Sequence, residues 1–573
     1  MLEIGTNSYC KRYVDMYQQA KTIRAPFEAD WRRVAELGLP RHYGGWVTTN
    51  VGPGASGQGA SITARAAAFD STLARSIPKY GSILERVQTP GSQIYHTLRP
   101  SDPRLLRVRA VREYYETYNN LLFSLRYHPR ARFAATQGEL YQSIGAYGNA
   151  CKMITWRGAG LNGAMRRGAR SNRGGFLYRS IPFRNMYWFV DEDEQTNLWF
   201  RRIDWTARQA VSALGENAPK RIKEHAEKSN NVDMNRTWEF FQIVMPSEEY
   251  DAGKMDYRRF PWLSLYIFVE EPAIVVKPSG YHSSPFVTPR AFTEGGSPYG
   301  YGPAQQVLSS VGTLNAQMKT MLKVGQKKAD PPLLARDDGI LNGTVDVRPS
   351  AVTYGGVDSQ GRKMIQALDV GDLHIAEKLV QMQQYDVEDA FFVNLFKKLK
   401  DQPQMTTTEI LRDAANNAAM LSPMMGRLQA EDLGPQIERE IDLLEQAGLA
   451  PEKPAEVQAN PEYDVVYCSP LAKSARAESV AGFSHIVEMA MNYAKMSGNT
   501  KPLKLINFER ALPEIADQQS VPPSWLNTPE EVAAEAAQEA EAQKIEQMTK
   551  ALPGVASLAR TAQTAPGQAS GVG

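Results

Sequence analysis

Apolar positions at helical spacing open the chain. Tyr13, Met16, Tyr17, Ala20 and Ile23 follow one another every three or four residues, and the pattern over residues 9–38 closes at Gly38 and Pro40, a helix stop. A glycine-rich stretch, Gly44 to Gly59, holds a short β-branched run, Val47 to Val51, before a second helical pattern from about Ser61 to Ile77. Residues 104–150 read as long amphipathic helix broken near His128-Pro129, with Tyr114, Tyr115, Tyr118 and Phe123 assigned to the core. From Phe176 to Phe292 the period falls to that of strands. Met186 to Val190, Leu198 to Ile203, Trp238 to Met245 and Leu263 to Val269 are aromatic or β-branched, and the first two flank the polar connection DEDEQTN. A mostly antiparallel sheet follows. One short helix interrupts it, opened by the capping box Thr206-x-x-Gln209 and stopped at Gly215.

The next stretch has a different plan. Pro303 to Lys328 is a long helical run with proline at its start, where the missing N–H costs little, and it stops at Asp330-Pro331-Pro332. Residues 330–371 read as a small β insert: Val345, Val347, Val352 and Tyr354 alternate, Gly355-Gly356 and Ser359-Gln360-Gly361 supply turns, and Met364 to Leu368 closes it. A second long helix spans about Asp372 to Leu399, and a loop with Pro403 leads to a second capping box, Thr406-x-x-Glu409. The latter opens a third long helix reaching about Gln446, with Pro423 as the expected kink. Two long helices therefore bracket a small β insert, an extended hairpin with a decorated tip. Residues 478–497 form a further amphipathic helix with Phe483, Ile486, Val487 and Ala490 on one side. The Ala/Glu/Gln-rich stretch from Thr528 to about Lys550 predicts an exposed helix before a frayed end. The fold class is α+β, mainly helical.

Composition narrows the function. Of 573 residues, 42% are hydrophobic and 22% charged, which fits a globular protein and excludes a collagen or a wholly disordered chain. Lys plus Arg number 65 against 63 Asp plus Glu, a net charge of +2, so contact with nucleic acid must come from local charge. Cys10, Cys151 and Cys468 lack metal or disulfide spacing and point to a reducing compartment. The N-terminus has no apolar core of signal-peptide length, and the most apolar stretch, Trp262 to Val269, stops at Glu270 and Glu271, so the expectation is a soluble protein with no membrane span.

Candidate chemistry is sparse. Gly52-x-Gly54-x-x-Gly57 matches the dinucleotide fingerprint but lacks a parallel βαβ continuation, so a loop is the stronger reading. The seven histidines never pair at metal-ligand spacing. Asp191, Glu192, Asp193 and Glu194 sit in a hairpin connection and lack the glycine of a calcium loop, and there is no phosphate-loop lysine or nucleophile elbow. No metal, cofactor or catalytic residue is implied, and the chain reads as a non-enzyme. The hairpin charges say more. Its first helix carries Lys319, Lys323, Lys327 and Lys328 and no acid, and the second begins with Asp372 and Glu377 and goes on through Asp386, Glu388 and Asp389. Salt bridges within or between subunits account for the four lysines, and Asp386, Glu388 and Asp389 are solvated or paired. Lys397, Lys398, Lys400, Gln402 and Gln404 form a polar loop that either offers mobile positive charge to a phosphate backbone or is a solvated turn.

Four blocks carry a resemblance. Arg65 to Arg99 (RAAAFDSTLARSIPKYGSILERVQTPGSQIYHTLR), Ile181 to Gly215, Tyr299 to Asp338 and Met405 to Gly448, in this order and spacing, resemble the portal, or head-to-tail connector, protein of short-tailed double-stranded DNA bacteriophages, over roughly residues 10–500. The resemblance implies a ring, dodecameric in assembled particles, with wing, stem, clip and crown around an axial DNA channel. By it, residues 1–302 and 406–500 are wing, 303–328 and 372–396 stem helices, 329–371 clip, 397–405 tunnel loop, 501–550 crown and 551–573 a flexible tail. It places Lys397, Lys398, Lys400, Gln402 and Gln404 at the channel. Arg336, Asp337, Asp338, Arg348, Arg362 and Lys363 of the clip would dock the terminase motor first and tail adaptor proteins later. Double-stranded DNA, major capsid and scaffolding proteins are the further partners implied. The protein would be assembled in the host bacterial cytoplasm and reside in the virion at one capsid vertex. Two other readings stay open from the residues alone: a nucleotide-dependent enzyme using Gly52 to Gly57, and a structural adaptor whose hairpin serves oligomerisation without passing DNA.

Overall fold

The computed structural model describes residues 7–47, 58–158, 174–227, 237–270, 274–335, parts of 350–368, 374–394, 420–468 and 470–497, with scattered residues between 505 and 541. Two compact units emerge, one of residues 1–93 with 125–449, the other of 94–124 with 450–573.

In the larger unit the first helical pattern becomes α1 (Asn7–Gly38), followed by α2 (Pro40–Val47). The pattern expected as one helix from Ser61 to Ile77 is two, α3 (Gln58–Ala67) and α4 (Thr72–Gln88). The break has a chemical cause: a carboxylate oxygen of Asp70 accepts from the backbone N–H of Thr72 at 2.8 Å and another from its hydroxyl at 3.0 Å, a side-chain claim on the backbone that starts a new helix. β1 (His96–Pro100) and α5 (Arg109–Arg126) come next in the chain and belong to the smaller unit, all but the last two residues of α5; α6 (Phe133–Tyr147) follows in the larger unit, so the break at His128-Pro129 falls where expected.

Two sheets form the rest of the body. β2 (Lys152–Arg157), β3 (Gly175–Ser180) and a short β9 (Phe286–Val287) pair antiparallel in the order β3-β2-β9. The larger sheet is β4 (Met186–Val190), β5 (Thr196–Thr206), β6 (Thr237–Pro246), β7 (Trp262–Phe268) and β8 (Ile274–Tyr281), antiparallel in chain order. Pleating sends neighbours to opposite faces. Phe241 and Ile243 pack with Tyr13 and Tyr17 of α1, whereas Phe240 and Trp238 pack with the helices on the other side. Those helices are α7 (Ala207–Leu214) and α8 (Lys220–Glu227), two where the sequence predicted one. The capping box is present: Gln209 N donates to Thr206 Oγ1 at 3.2 Å, Thr206 N to Gln209 Oε1 at 3.1 Å, and Gly215 stops α7 with φ +60°.

Arg24 of α1 is buried where it meets this body. Its guanidinium donates to the carbonyls of Met186 at 2.6 Å and Phe183 at 3.3 Å, pairs with Glu28 at 3.2 Å, and lies 4.5 Å from the ring centre of Tyr187. A fully buried charge is satisfied by carbonyls, a carboxylate and aromatic faces together.

In the smaller unit β1 pairs antiparallel with residues 463–467, from His96 opposite Tyr467 to Pro100 opposite Tyr463. The Asn119 amide clamps Leu98, accepting from its N–H at 2.8 Å and donating to its carbonyl at 3.3 Å, and Tyr114, Tyr115 and Tyr118 are buried, with Phe123 half-buried. The helix Pro470–Ser497 contains the amphipathic segment, but Ile486 leaves the expected side: it is exposed together with Met489, Tyr493 and Met496, while Phe483, Val487 and Ala490 are half-buried. The glycine loop at 48–57 lies outside the described residues. Cys10, Cys151 and Cys468 are buried free thiols, and no described helix is long and apolar enough to cross a membrane.

Candidate stem hairpin and its anchors

The long helical run after Pro303 is α9 (Pro303–Gln306) and α10 (Leu308–Ala329), parted only at Val307. Gly302 N donates to Gln305 Oε1 at 2.8 Å, which closes the start of α9. The chain leaves α10 at Asp330, forms β10 (Leu333–Ala335) and β11 (Ile365–Ala367), and returns through α11 (His374–Ala390). β10 and β11 pair antiparallel, Leu333 opposite Ala367, and α11 packs along α10.

The base of this hairpin is fixed by the loop between α3 and α4. Phe69 N donates to Asn315 Oδ1 of α10 at 2.7 Å, and Gln384 Nε2 of α11 donates to Asp70 Oδ1 at 3.1 Å, so adjacent residues of one loop hold both helices. Lys79 of α4 pairs with Glu388 at 3.3 Å, and Lys319 Nζ stands 5.5 Å above the Phe69 ring. Sequence reasoning missed this anchor. Its signal was present in Asp70-Ser71-Thr72, three helix-start residues inside a helical pattern.

The second helix does not run unbroken to Leu399. It turns at Phe391 and Phe392, the latter with φ +57°, because both rings point into the body against Tyr80, at centroid distances of 5.8 and 6.4 Å; helical residues resume at 393–394. Periodicity alone could not show this.

The third helix is described from residue 420. Pro423 lies within the helical stretch 420–428, and a π-helical turn, Gln429–Leu433, follows it ahead of α12 (Gly434–Gln446). Pro435 is the cause, since it has no N–H to give the carbonyl of Glu431. The turn aims two consecutive acids at different partners. Glu431 takes Arg290 through both oxygens, at 2.8 and 3.1 Å, and Asp432 pairs with Lys152 at 2.7 Å. About two turns further on, Glu440 accepts Arg126 Nε at 3.2 Å and the Tyr178 hydroxyl at 2.6 Å, and Gln436 and Gln137 also bind the Lys152 ammonium. Lys152, Asp432, Arg126 and Glu440 keep no solvent exposure. Burial pulls the Lys152 pKa below its ordinary value, against the opposing pull of the Asp432 and Glu440 carboxylates. Within the larger unit the network ties the long helix to Arg126, α6, β2 and β3. Its one sequence signal was a lysine inside the apolar run NACKMITW.

Of the charges expected in a stem, Lys319, Lys323, Lys327 and Lys328 are exposed and make no ion pair among the described residues. Glu377 lies on α11, also exposed. Among the residues expected in a clip, Arg362 donates to Gln360 at 3.3 Å and Lys363 bridges Val357, and Leu333, Leu334 and Leu368 are exposed. Arg336, Asp337, Asp338, Arg348, Asp372, Lys397, Lys398, Lys400, Gln402 and Gln404 lie outside the described residues, as does the capping box at Thr406.

The chain matches the family described as bacteriophage head to tail connecting protein over residues 11–526, and it belongs to that family. It is 24% identical to the portal protein of Salmonella phage epsilon15 over 366 residues, 62% of this chain, and the matched stretch spans 64% of that protein's length. It is 22% identical to the probable portal protein of Bordetella phage BPP-1 over 552 residues, 95% of this chain and 93% of that one. Among solved structures, a chain from the neck of native GTA particle computed with C12 symmetry covers 72% of this chain and 86% of its own at 10% identity and a TM-score of 0.34.

Proposed function

We propose that the chain is the repeating subunit of a portal ring: a conduit for genome packaging and ejection at one capsid vertex, and a docking site for the terminase motor and then for tail adaptors. Family membership supports the connector role, and the observation that carries the ring is the uncovered apolar stripe on the hairpin. Leu379, Met382 and Tyr385 recur every third residue on α11 and are half or more exposed, while Val380 and Val387 face inward. Leu322 of α10 is exposed as well. A slender two-helix stem with apolar residues on its outside needs a cover, and in a closed ring the next copy of the same hairpin supplies it.

On this reading residues 303–328 and 372–396 are the stem, 329–371 the clip and 397–405 the tunnel loop. Lysines 319, 323, 327 and 328 meet acids of the neighbouring subunit. The clip hairpin, with its short free edges, is completed on assembly. The loop lysines act on DNA through charge alone, which suits sliding because a few mobile cations neutralise phosphates without fixing register. Electron microscopy of the purified chain with native mass determination tests the proposal. Rings of about twelve subunits with an opening of about 20 Å or more are expected. A monomer at every concentration, or a compact dimer without a channel, would overturn it.

A further inference from the structure

The stretch from Val387 to Lys400 holds no glycine or proline, and its own preference is to continue α11 as one helix. The chain breaks there all the same. Phe392 takes φ +57°, a region a bulky side chain enters only under constraint, and its N–H donates to the Asp389 carbonyl at 2.8 Å, three residues back instead of four. Asn394 then lies beside the last turns of α11, its amide donating to the Tyr385 carbonyl at 3.1 Å. A break without a local cause is held by contacts from elsewhere in the fold.

Those contacts converge on Tyr80 of α4, which is fully buried. Phe391 meets its ring edge-on and Phe392 lies nearly parallel to it. Gly145 of α6 backs the ring so closely that a β-carbon there would stand 2.7 Å from Cδ1. The Tyr80 hydroxyl donates to Met424 Sδ at 2.8 Å, at the described start of the third helix, and Gln88 of the same α4 donates to the Met425 carbonyl at 3.2 Å. A thioether is a weak acceptor, so the bond to Met424 is the weakest of these ties. Ahead of the break, α11 is held independently by Gln384 on Asp70 and Glu388 on Lys79. Only the residues after 389 are therefore free to take a second path.

We propose that Phe391-Phe392 is a two-state hinge: docked on Tyr80 it breaks α11, released it lets α11 run straight, and Met424 of the third helix biases the choice through the Tyr80 hydroxyl. Docking gains the ring contacts and the burial of Val393. Straightening gains an unstrained φ at Phe392 and regular bonds four residues back. Each state keeps what the other gives up, which is what makes the element bistable. A shift at the start of the third helix is thereby transmitted to the second helix of the hairpin. The inference does not depend on the portal reading, since every residue it uses lies in the larger unit of a single chain.

Hydrogen exchange of the full chain, read at the amides of residues 391–394, tests the hinge through two variants that remove the same ring. Alanine favours the straight helix and glycine favours the positive φ of the break, so Phe392→Ala should exchange more slowly than wild type, and more slowly than Phe392→Gly by about tenfold or more. A fixed break that merely loses a contact would fray alike in both. Exchange in Phe392→Ala no slower than wild type, or equal rates in the two variants, would overturn the hinge. Should Phe392→Ala melt early, Asn394→Ala carries the test: it cuts the tie to Tyr385 alone, and slower exchange supports the hinge while unchanged or faster exchange overturns it. Tyr80→Phe keeps both ring contacts and loses the bond to Met424, so its rate should fall between those of wild type and Phe392→Ala. A rate equal to wild type would overturn the link to the third helix.

Discussion

The Nζ atom of Lys152 lies 2.7 Å from a carboxylate oxygen of Asp432, and neither side chain retains solvent exposure. The pair joins the second strand of the smaller sheet to the π-helical turn of the long helix. Removing one partner leaves the other charge buried alone, so Lys152→Met should lower stability by about 3–5 kcal/mol. Combining it with Asp432→Leu should recover most of that loss, because the second change removes the stranded charge. Urea unfolding of the wild type, both single variants and the double variant closes the cycle. A single-variant loss below about 1 kcal/mol would mean the charges are not isolated as described.

Gly148 caps α6 with φ +68°, and a β-carbon there would stand 2.2 Å from the carbonyl carbon of Tyr301 and 2.4 Å from Gly302 N. Gly148→Ala meets both a disfavoured backbone conformation and an immovable wall. Its expected loss is about 2 kcal/mol or more, read as a lower melting temperature. Gly215→Ala, with open space around it, should lose less.

Met382→Glu and Leu379→Glu place charge on the exposed stripe of α11. Neither residue is buried in the single chain, so the melting temperature of the unassembled subunit should stay within about 1 °C of wild type, a surface change being small. Ring formation should fail. Rings of normal size from both variants, seen by native mass determination, would remove the stripe from the subunit interface.

Replacing Lys397, Lys398 and Lys400 together with alanine should leave ring assembly intact and reduce the DNA packaged or retained per particle. Quantifying DNA in purified mutant particles decides the matter. Unchanged content would sink the assignment of these lysines to the channel.

His42 should titrate below its ordinary value of 6.5 in the folded protein. In the interval between the two values the unfolded chain holds a proton that the folded chain does not, so the contribution of His42 to stability falls as pH drops through that interval. Arg184→Gln should raise the folded value and Glu139→Gln should lower it, since the first removes a repelling charge and the second an attracting one. Proton NMR of the imidazole ring measures all three, and a folded value at or above 6.5 in the wild type would contradict the burial of His42 beside Arg184.

Much of the fold could be read in advance where the cause is local. Thr206, Gln209 and Gly215 specify the start and stop of one helix within ten residues, and the β-branched and aromatic runs gave four strands of the larger sheet. The hairpin was legible for the same reason, because proline at its entry and Asp330-Pro331-Pro332 at its turn act on their own neighbours. What escaped depends on distant partners. The turn at Phe391-Phe392 exists because Tyr80 waits for both rings, and nothing near residue 391 announces Tyr80. Arg126 and Glu440 look like ordinary surface charges until the fold brings them together. The π-helical turn before Pro435 was not legible, because Pro423 and Pro435 satisfy the same rule and only packing separates them.

The π turn at Gln429–Leu433 has one more consequence. A π turn holds about one residue more than an α turn, so this segment is the place where the long helix carries surplus length. Elsewhere in the helix, deleting a single residue would rotate everything downstream by about 100° and swing Gln436 and Glu440 away from Lys152 and Arg126. A deletion inside the turn would return it to α geometry with the downstream face still in phase. When distant chains are aligned along this helix, a one-residue gap should fall here, and a chain without the surplus residue could keep the same buried partners.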